Sequence, residues 1–420
     1  MFNRGGLNLI KETISIREKK TSLSVSNSKI SAILRSDIKK TGIRLYADGC
    51  LGIAGAIGAY DENELLRNAR HMLKFKLPYD CEPTSGVQRT EDFSIKAGDD
   101  EQFVEASKWL LETLNDKYPQ FMFSHKINLR ENEESLVNDA GTELIQRDSY
   151  YSVELIIKHR DSGNAFDSLG FTIARTFNVN DALKIISGTC ECYNEKIDIT
   201  EEKIPVVLLE TPEVFLGKFY DLKGDLYSSG ASMFSGKIGQ KLFDDKFSLI
   251  INRDTKSTFN RFFDGEGTTL PDNSFALIKN GLLKAPYTSK KIAKQYSLPI
   301  TGSATLEYDS MPNASNAEIT VASSGKTIKE LLGGSKAIYA AIAAGGDFTP
   351  QGEYASPIQA AYMFDGEKLI GRLPQLAMSS NIYDMFGKDF IGMSSDGNSP
   401  VNPFHYLAID MNVQKIGEWL

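Results

Sequence analysis

The sequence predicts an α+β protein of two domains, built largely from antiparallel sheets with a few helices. Polar and apolar residues alternate through much of the first 75 positions, as they do in half-buried antiparallel strands. Further along, helices interrupt the predicted strands at irregular intervals, which a regular βαβ repeat would not produce. The length of 420 residues leaves room for two or three domains, each with its own core.

The N-terminal half begins with strands and then gains helices. The alternation covers 22–37 and 42–58, and the small residues and glycines of the second run indicate close packing. A helix is predicted to begin at Asp61, because Asp61 and Glu64 have the spacing of a capping box. A second, amphipathic helix is predicted over 99–117.

The rest of the chain is predicted to contain more strands than helices, and a polar segment near residue 200 divides it. Strands return over 121–176, a helix follows over about 180–187, and the polar segment "NEKIDITEEKI" marks a domain boundary. This gives an N-terminal α+β domain over 1–200 and a C-terminal strand-rich domain over 201–420. The latter opens with the buried strand "IPVVLLE" and carries short predicted helices near 212–221, 287–296, 327–333 and 378–386.

The charge balance argues against a nucleic-acid partner. The formal net charge is −8 and the isoelectric point is near 5.3, whereas nucleic-acid binding usually requires a basic patch or stripe. The first 20 residues lack the apolar run of a signal peptide, and no stretch of about 18 apolar residues occurs. We therefore expect a cytoplasmic protein without a membrane or nucleic-acid partner.

The stretch "GASMFSGKIG", 230–239, resembles a phosphate-binding loop but does not meet its requirements. Five residues rather than four separate Gly230 from Gly236, and Ile238 follows Lys237 where a hydroxyl would reach Mg²⁺. A glycine-containing turn that leads into an apolar packing element is the favoured interpretation.

Cysteine and histidine are too scattered to define a metal site on their own. Cys190 and Cys192 form a C-x-C pair, but no second Cys/His pair follows at a suitable spacing, so free thiols are favoured. The four histidines (His71, His125, His159 and His405) are isolated in the sequence and are expected to be structural or exposed.

Several segments, taken in order, resemble the TldD/TldE (PmbA) family, also called modulators of DNA gyrase. They are "FSGKIGQKLFDDKFSLI", "FFDGEGTTL", "ALIKNGLLKAPYTSKKIAKQ" and "AAGGDFTPQGEYASPIQAAYMFDGEKLIGRL", preceded in the first half by "GIRLYADGCLGIAGAIGAYDENELLRNA". The resemblance covers nearly the whole chain. It implies a peptidase complex that acts on peptides or unfolded chains.

The resemblance also identifies the positions where the active subunit, TldD, binds zinc. In TldD an HExxxH motif on a helix and a later Cys in a "GMC" segment hold Zn²⁺, and the Glu accepts a proton from metal-bound water. The corresponding positions here are Phe215, Leu216 and Tyr220 in "FLGKFY" and Ser394 in "IGMSSDGNSP". These side chains cannot assemble a zinc site, and no histidine between His159 and His405 could restore the motif in a shifted alignment.

This pattern resembles the TldE/PmbA side of the family. The resemblance implies a subunit without catalytic or metal-binding residues of its own, which pairs with a TldD-like subunit as a heterodimer, or with itself, around a peptide substrate. Zinc is expected only in the TldD-type partner. The aromatic side chains of Phe215 and Phe219 are then expected to pack in the core. A stand-alone peptidase using other residues, or a protein-interaction modulator of the gyrase type, is the alternative.

Three acidic residues are candidates for a peptide groove. Asp264 and Glu266 form a D-x-E pair in a glycine turn, which is more often solvated than functional but could coordinate a cation or act as acid and base. Asp347 lies beside two glycines and could line a groove. The run Ile338–Phe348 suits either an exposed strand edge that captures an extended peptide or a buried central strand, and the sequence leaves both open.

Overall fold

The structure is a computed structural model. It contains three sheets whose strands are largely antiparallel. The structure describes residues 9–94, 100–209, 216–314, 318–343, 345–397 and 404–418. The predicted α+β class, with antiparallel sheets and few helices, is confirmed. Within the described ranges, no helix is both long enough and apolar enough to cross a membrane.

The first sheet uses strands from the N-terminal half, in the order β3-β2-β1-β5-β6-β4, with β7 also paired to β6. The strands are β1 (Ile10–Ser26), β2 (Lys29–Ala47), β3 (Cys50–Ile57), β4 (Gln88–Phe93), β5 (Phe121–Asn138), β6 (Glu143–His159) and β7 (Ser168–Ala174). The helices are α1 (Glu62–Leu73), α2 (Asp100–Lys117) and α3 (Val179–Cys192). Residues of α2 and α3 bury one face of the sheet in a shared apolar cluster.

The predicted N-terminal helices form, with adjusted ends. Asp61 is the N-cap of α1, and its side chain accepts hydrogen bonds from the backbone N–H groups of Asn63 and Glu64 at 2.8 and 3.4 Å. Helix α3 continues to Cys192, beyond the predicted end at Ser187. Its extra turn buries Cys190 in the same cluster as α2, so tertiary packing outweighs the weak helix propensity of Gly188 and Thr189.

The C-terminal half forms two further sheets, one in the order β11-β10-β9-β12 and one of eight strands. The strands are β8 (Lys203–Leu209), β9 (Leu249–Asn252), β10 (Ser274–Lys279), β11 (Leu282–Leu283), β12 (Ile319–Val321), β13 (Ala337–Ala343), β14 (Asp347–Phe348), β15 (Glu353–Phe364), β16 (Leu369–Arg372), β17 (Leu376–Asn381), β18 (Phe390–Gly397) and β19 (His405–Lys415). The α-helices are α4 (Gly224–Ser229), α5 (Lys290–Tyr296), α6 (Ile328–Leu332) and α7 (Ile382–Met385), with 3₁₀ turns at Gly217–Leu222 and Pro271–Asn273.

Five strands of the eight-stranded sheet close into a ring around the C-terminal core. Pairing runs β13-β8-β19-β17-β15 and returns from β15 to β13. Side chains of β8 alternate accordingly: Val206 and Leu208 join the large inner core, whereas Val207 packs outside. Strand β13 pairs with β15 on one edge and, at Ile338 and Tyr339, with β8 on the other, so the exposed-edge alternative is wrong for these two residues and stays open for the rest of the run.

The predicted boundary near residue 200 falls between the sheets, and the domain division stays a prediction. The first sheet ends at Ala174 and the others begin at Lys203, but the two halves share buried contacts. At Gly42 on β2, a Cβ atom would lie 1.7 Å from the carbonyl oxygen of Tyr308 in the other half, so only glycine fits there. Close packing is thus confirmed at Gly42, Gly52 and Gly55, whereas Gly49 and Gly58 have room for a side chain and instead adopt a positive φ.

Candidate functional site

The segment aligned with the zinc motif lies at the edge of the C-terminal core. Leu216 is buried in that core and precedes a 3₁₀ turn, Gly217–Leu222, which is followed by α4. The predicted helix near 212–221 is thus a 3₁₀ turn over its described part. Phe215 and the start of that helix lie outside the described residues.

Phe219 stands at the centre of an aromatic cluster. Its ring has no exposed surface and lies 5.1–5.7 Å, between centroids, from four other phenylalanine rings: Phe234, Phe243, Phe247 and Phe386. Such offset and edge-to-face contacts stabilise a core beyond the burial of area alone. The prediction that Phe219 packs in the core is confirmed.

Tyr220 is half-buried and also serves the packing of this segment. Its side chain packs against the core, and its backbone carbonyl accepts a hydrogen bond from the Tyr287 hydroxyl at 3.0 Å. Next to it, Lys218 and Asp221 form an ion pair of 2.6 Å. These contacts fix the position of the 3₁₀ turn, and none of them involves a histidine.

Ser394 is fully buried on β18 and engaged on both sides. Its hydroxyl donates to the carbonyl oxygen of Asp396 at 2.5 Å and accepts from the backbone N–H of Tyr406 at 3.0 Å. The hydroxyl therefore fastens the end of β18 to the start of β19. Its donor and one of its acceptor sites are thus used within the fold.

The residues at the four aligned positions do not fit a zinc ion. Zinc in proteins is held by thiolate, imidazole or carboxylate groups, whereas Leu216 offers hydrocarbon and Ser394 a neutral hydroxyl already in use. Among the residues that the structure describes, no group of three or more His, Cys, Asp or Glu side chains could hold a metal ion.

Replacing Ser394 with alanine is expected to lower the free energy of unfolding by about 1–3 kcal/mol, because the change leaves the Tyr406 N–H and the Asp396 carbonyl without this partner in a buried site. Chemical denaturation measures the loss. The neighbouring Ser395 is exposed, so Ser395→Ala should change stability by less than about 0.5 kcal/mol. Equal effects of the two variants would refute the structural role of Ser394.

A cavity lies beside the end of β18, next to Ser395, the residue that follows Ser394. It has a volume of about 1070 Å³ and runs between α3 of the first half and the outer side of the C-terminal ring. Ser395, Asp396, His405 and Tyr406 line one wall, and α3 lines the opposite wall near Gly188. The size is that of pockets that hold small molecules or short peptides.

The cavity combines an aromatic wall with polar groups. The rings of Tyr339, Phe364 and Tyr406 contact one another at 6.0–6.4 Å between centroids. The Nδ1 atom of His405 is buried and has no hydrogen-bond partner among the residues that the structure describes, and burial lowers the pKa of this imidazole below its ordinary value. His405 had no signal in the sequence beyond its residue type, since most of its cavity neighbours come from segments that are distant in the chain.

Asp264 and Glu266 are fully buried, so the solvated-turn interpretation is wrong, although the turn itself is present. One oxygen of Asp264 accepts from the N–H groups of Glu266 and Thr268 at 2.9 and 2.8 Å, and the other from Ala304 at 3.0 Å. Adding a side chain at Gly265 would drive it into the Thr305 carbonyl at 1.6 Å. The pair organises the boundary between the two halves.

Glu266 connects the halves through both carboxylate oxygens. Oε1 accepts from the hydroxyl of Tyr79, in the first half, and Oε2 from the backbone N–H of Lys290 at 2.7 Å, in the second. Burial, together with the nearby carboxylate of Asp264, raises the pKa of Glu266 to about 7. A carboxyl this deeply enclosed does not reach a peptide in the isolated chain.

Asp347 differs from this pair because it is exposed. It begins β14, a two-residue strand at the end of the eight-stranded sheet, and its side chain accepts from the N–H of Phe348 at 2.7 Å. A role for Asp347 in a peptide groove stays a prediction. Burial disfavours such a role for Asp264 and Glu266.

The remaining sequence motifs have structural roles. The stretch 230–239 forms consecutive turns, and the Lys237 amine donates to the Tyr383 hydroxyl at 2.7 Å, as expected of a turn rather than a phosphate loop. Cys190 and Cys192 are buried in different clusters, and burial raises the pKa of both thiols. They are free cysteines.

Comparisons with known proteins agree with this architecture. Residues 201–406 match the family described as the PmbA/TldA metallopeptidase C-terminal domain. No match was found among curated proteins. Solved structures with the same fold include TldE from Thermococcus kodakarensis, with 15% identity, 96% coverage of both chains and a TM-score of 0.74.

Two further structures have similar folds. One, described as a modulator of a DNA gyrase from Thermotoga maritima, has 15% identity, covers 97% of this chain and 96% of its own, and gives a TM-score of 0.76. Another, with the same description, from Bacteroides thetaiotaomicron, has 14% identity, covers 98% and 96%, and gives a TM-score of 0.74. The fold is thus shared over nearly the full length.

Proposed function

Since the chain belongs to the TldD/TldE (PmbA) family, we propose that it is the TldE/PmbA-like subunit of a cytoplasmic metallopeptidase complex and does not itself cleave peptides. Its partner is a TldD-type chain that carries the zinc ion, and the substrates are peptides or unfolded chains. The observation that carries this proposal is the role of the residues at the positions aligned with the zinc motif. Leu216 packs in the core, and the Ser394 hydroxyl forms hydrogen bonds within the fold.

The cavity next to Ser395 supports a role in a shared chamber. In this chain the cavity is open and lined by residues of both halves, and its wall joins aromatic rings to polar groups. A substrate held there would contact side chains that orient it by packing and hydrogen bonding. The chain would then contribute shape and binding while the partner supplies the Lewis acid and the general base.

The test is reconstitution with a TldD-type partner. Peptide hydrolysis is measured for this chain alone, for the partner alone, for the mixture, and for a mixture in which the Glu of the partner's HExxxH motif is replaced by Gln. We expect the first mixture to exceed either component by at least about tenfold and the last to be inactive, because the general base resides in the partner. Ser394→Ala serves as a matched variant and should retain stimulation wherever it is folded.

Two outcomes would contradict the proposal. A chain that neither binds nor stimulates the partner is not its subunit. Hydrolysis by the isolated chain, lost in a folded Ser394→Ala or Glu266→Gln variant, would instead support the stand-alone peptidase. The burial of Glu266 and the double engagement of Ser394 speak against that alternative.

A protein-interaction role is the remaining alternative, since two proteins of similar fold are described as modulators of DNA gyrase. It would be favoured if the chain bound a gyrase subunit directly but left a TldD-type peptidase unchanged. The net charge of −8 disfavours contact with the DNA itself.

A further inference from the structure

The second half of α1 and the turn that follows it carry an exposed patch of basic residues. Four cations, Arg67, Arg70, Lys74 and Lys76, form this basic patch, and no Asp or Glu occurs from residue 65 to residue 79. All four side chains belong to exposed residues. The patch therefore concentrates positive charge in a chain whose formal net charge is −8.

The basic patch has no counter-charge of its own. Among the residues that the structure describes, none of the four cations forms an ion pair or a side-chain hydrogen bond. Arg67 and Arg70 are three positions apart on α1, and Arg70 and Lys74 are four apart, so neighbouring cations repel each other across the helix surface. The helix dipole favours Arg70 in the last turn, but it does not account for Arg67 in mid-helix or for Lys76 beyond the end.

Phe75 adds an apolar group between two of these cations in the chain. It is 68% exposed, and the nearby Met72 and Leu77 are 41% and 36% exposed. Its ring contacts the exposed imidazole of His71 edge-on, at 5.5 Å between centroids. Single exposed apolar side chains are ordinary on a protein surface, but several of them within a charged rim are typical of an interaction site.

The basic patch stands on a rigid support. Helix α1 packs so closely on β3 that a Cβ atom at Gly52 would lie 2.2 Å from the carbonyl oxygen of Ala69. Beyond the helix, the N–H of Leu51 on β3 donates to the carbonyl oxygen of Leu77 at 2.9 Å. The cations and Phe75 are thus held in place before a ligand arrives, which lowers the entropic cost of binding.

We propose that the basic patch binds a short acidic segment of another protein, with carboxylates opposite Arg67, Arg70 and Lys74 and an apolar side chain against Phe75. The helix rises by about 10 Å from Arg67 to Lys74, which matches about three residues of an extended chain. Because side chains at alternate positions of such a chain point to the same side, acidic residues two apart present both carboxylates to the patch. Guanidinium groups bind carboxylates through paired hydrogen bonds.

A nucleic acid or an anionic membrane fits the basic patch less well. Charges are screened over about 10 Å at 0.1 M salt, so a short segment on the patch meets mainly its cations. A duplex or a bilayer extends further and meets the surrounding surface of an acidic chain, including the exposed Glu64 and Asp80 at the two ends of the stretch. The proposal is independent of the peptidase role, since it involves neither the cavity nor Ser394.

Fluorescence anisotropy with labelled peptides provides the test. The probe is a short peptide in which Glu alternates with Thr and which ends in Phe, and its control has Gln in place of every Glu. The unaltered chain should bind the Glu peptide at least about tenfold more tightly than the Gln peptide, and less tightly as the salt rises from about 0.05 to about 0.3 M. Arg70→Glu combined with Lys74→Glu should weaken this binding at least about tenfold, and Phe75→Ser roughly threefold.

Lys108→Glu combined with Lys117→Glu is the matched control, because it makes the same change in net charge at exposed positions of α2. It should leave the affinity unchanged, whereas Arg70→Gln combined with Lys74→Gln should lower it, with all variants folded by circular dichroism. The proposal is overturned if the Glu peptide does not bind at up to roughly 1 mM, or if the control weakens binding as much as the patch variant. It is also overturned if duplex DNA or phosphatidylserine vesicles bind the patch more tightly than the peptide.

Discussion

Replacing Arg44 with alanine is expected to lower the free energy of unfolding by about 3–5 kcal/mol, because it leaves a buried carboxylate without its cation. Arg44 has no exposed surface and lies 3.3 Å from the Glu12 carboxylate, which is equally buried. Its guanidinium also donates to the carbonyl oxygens of Gly265 at 2.6 Å and Glu307 at 3.1 Å, both in the other half of the chain. One side chain thus satisfies charge and backbone groups across the boundary.

The matched control is Arg17→Ala on the neighbouring strand. Arg17 makes a bidentate pair with Asp37, at 2.8 and 2.7 Å, but both side chains are about half exposed. Its loss should cost less than about 1 kcal/mol in dilute protein. Urea denaturation of both variants measures the difference. If Arg44→Ala cost no more than Arg17→Ala, the buried cluster would not hold the two halves together.

Replacing Glu266 with glutamine is expected to stabilise the protein increasingly as the pH rises. Burial and the Asp264 carboxylate raise the pKa of Glu266 from 4.5 to about 7 in the folded chain, so folding favours the protonated form. The stability from this proton is fully present below pH 4.5 and is lost as the pH rises through 7. A pKa shift of this size changes the free energy of unfolding by about 3 kcal/mol.

Glutamine cannot ionise, but its carbonyl oxygen can accept from the Lys290 N–H while its amide N–H donates to the Tyr79 oxygen, as a protonated carboxyl can. The variant should therefore resemble the unaltered chain near pH 5 and exceed its free energy of unfolding by up to about 3 kcal/mol near pH 8.5. Chemical denaturation at the two pH values measures this. The exposed Glu367→Gln should show no such trend. A difference between Glu266→Gln and the unaltered chain that does not vary with pH would contradict the prediction.

Strands and helix caps leave local patterns in the sequence, whereas the burial of Asp264 and Glu266 does not. Alternation predicted strands over 22–37 and 42–58, and the Asp61 cap predicted α1, because both signals are local. Each alternating run, however, crosses a turn, at 27–28 and at 48–49, so the limits of β1, β2 and β3 were not predicted. The D-x-E turn was found too, but its solvent exposure was predicted wrongly. The residues that cover that turn, 77–84 and 304, are distant from it in the chain. The sequence around the turn therefore does not indicate that it is buried.

The candidate site divides in the same way. Residue types alone excluded zinc ligands at Leu216 and Ser394. A leucine side chain has no donor atom, and a neutral serine hydroxyl is a poor zinc ligand compared with thiolate or imidazole. The cavity next to Ser395 was not predictable, because it is lined by α3, the outer face of the ring and the start of β19, which only the folded chain brings together.

The sequence by itself thus determined the α+β class, the approximate positions of α1, α2 and α3, and the lack of zinc donors at the aligned positions. The tertiary structure alone decided that five strands close into a ring and that Glu266 is buried with a pKa of about 7. The physical reason is range: periodicity and residue chemistry are local, whereas burial, desolvation and strand pairing depend on partners that the chain supplies from afar.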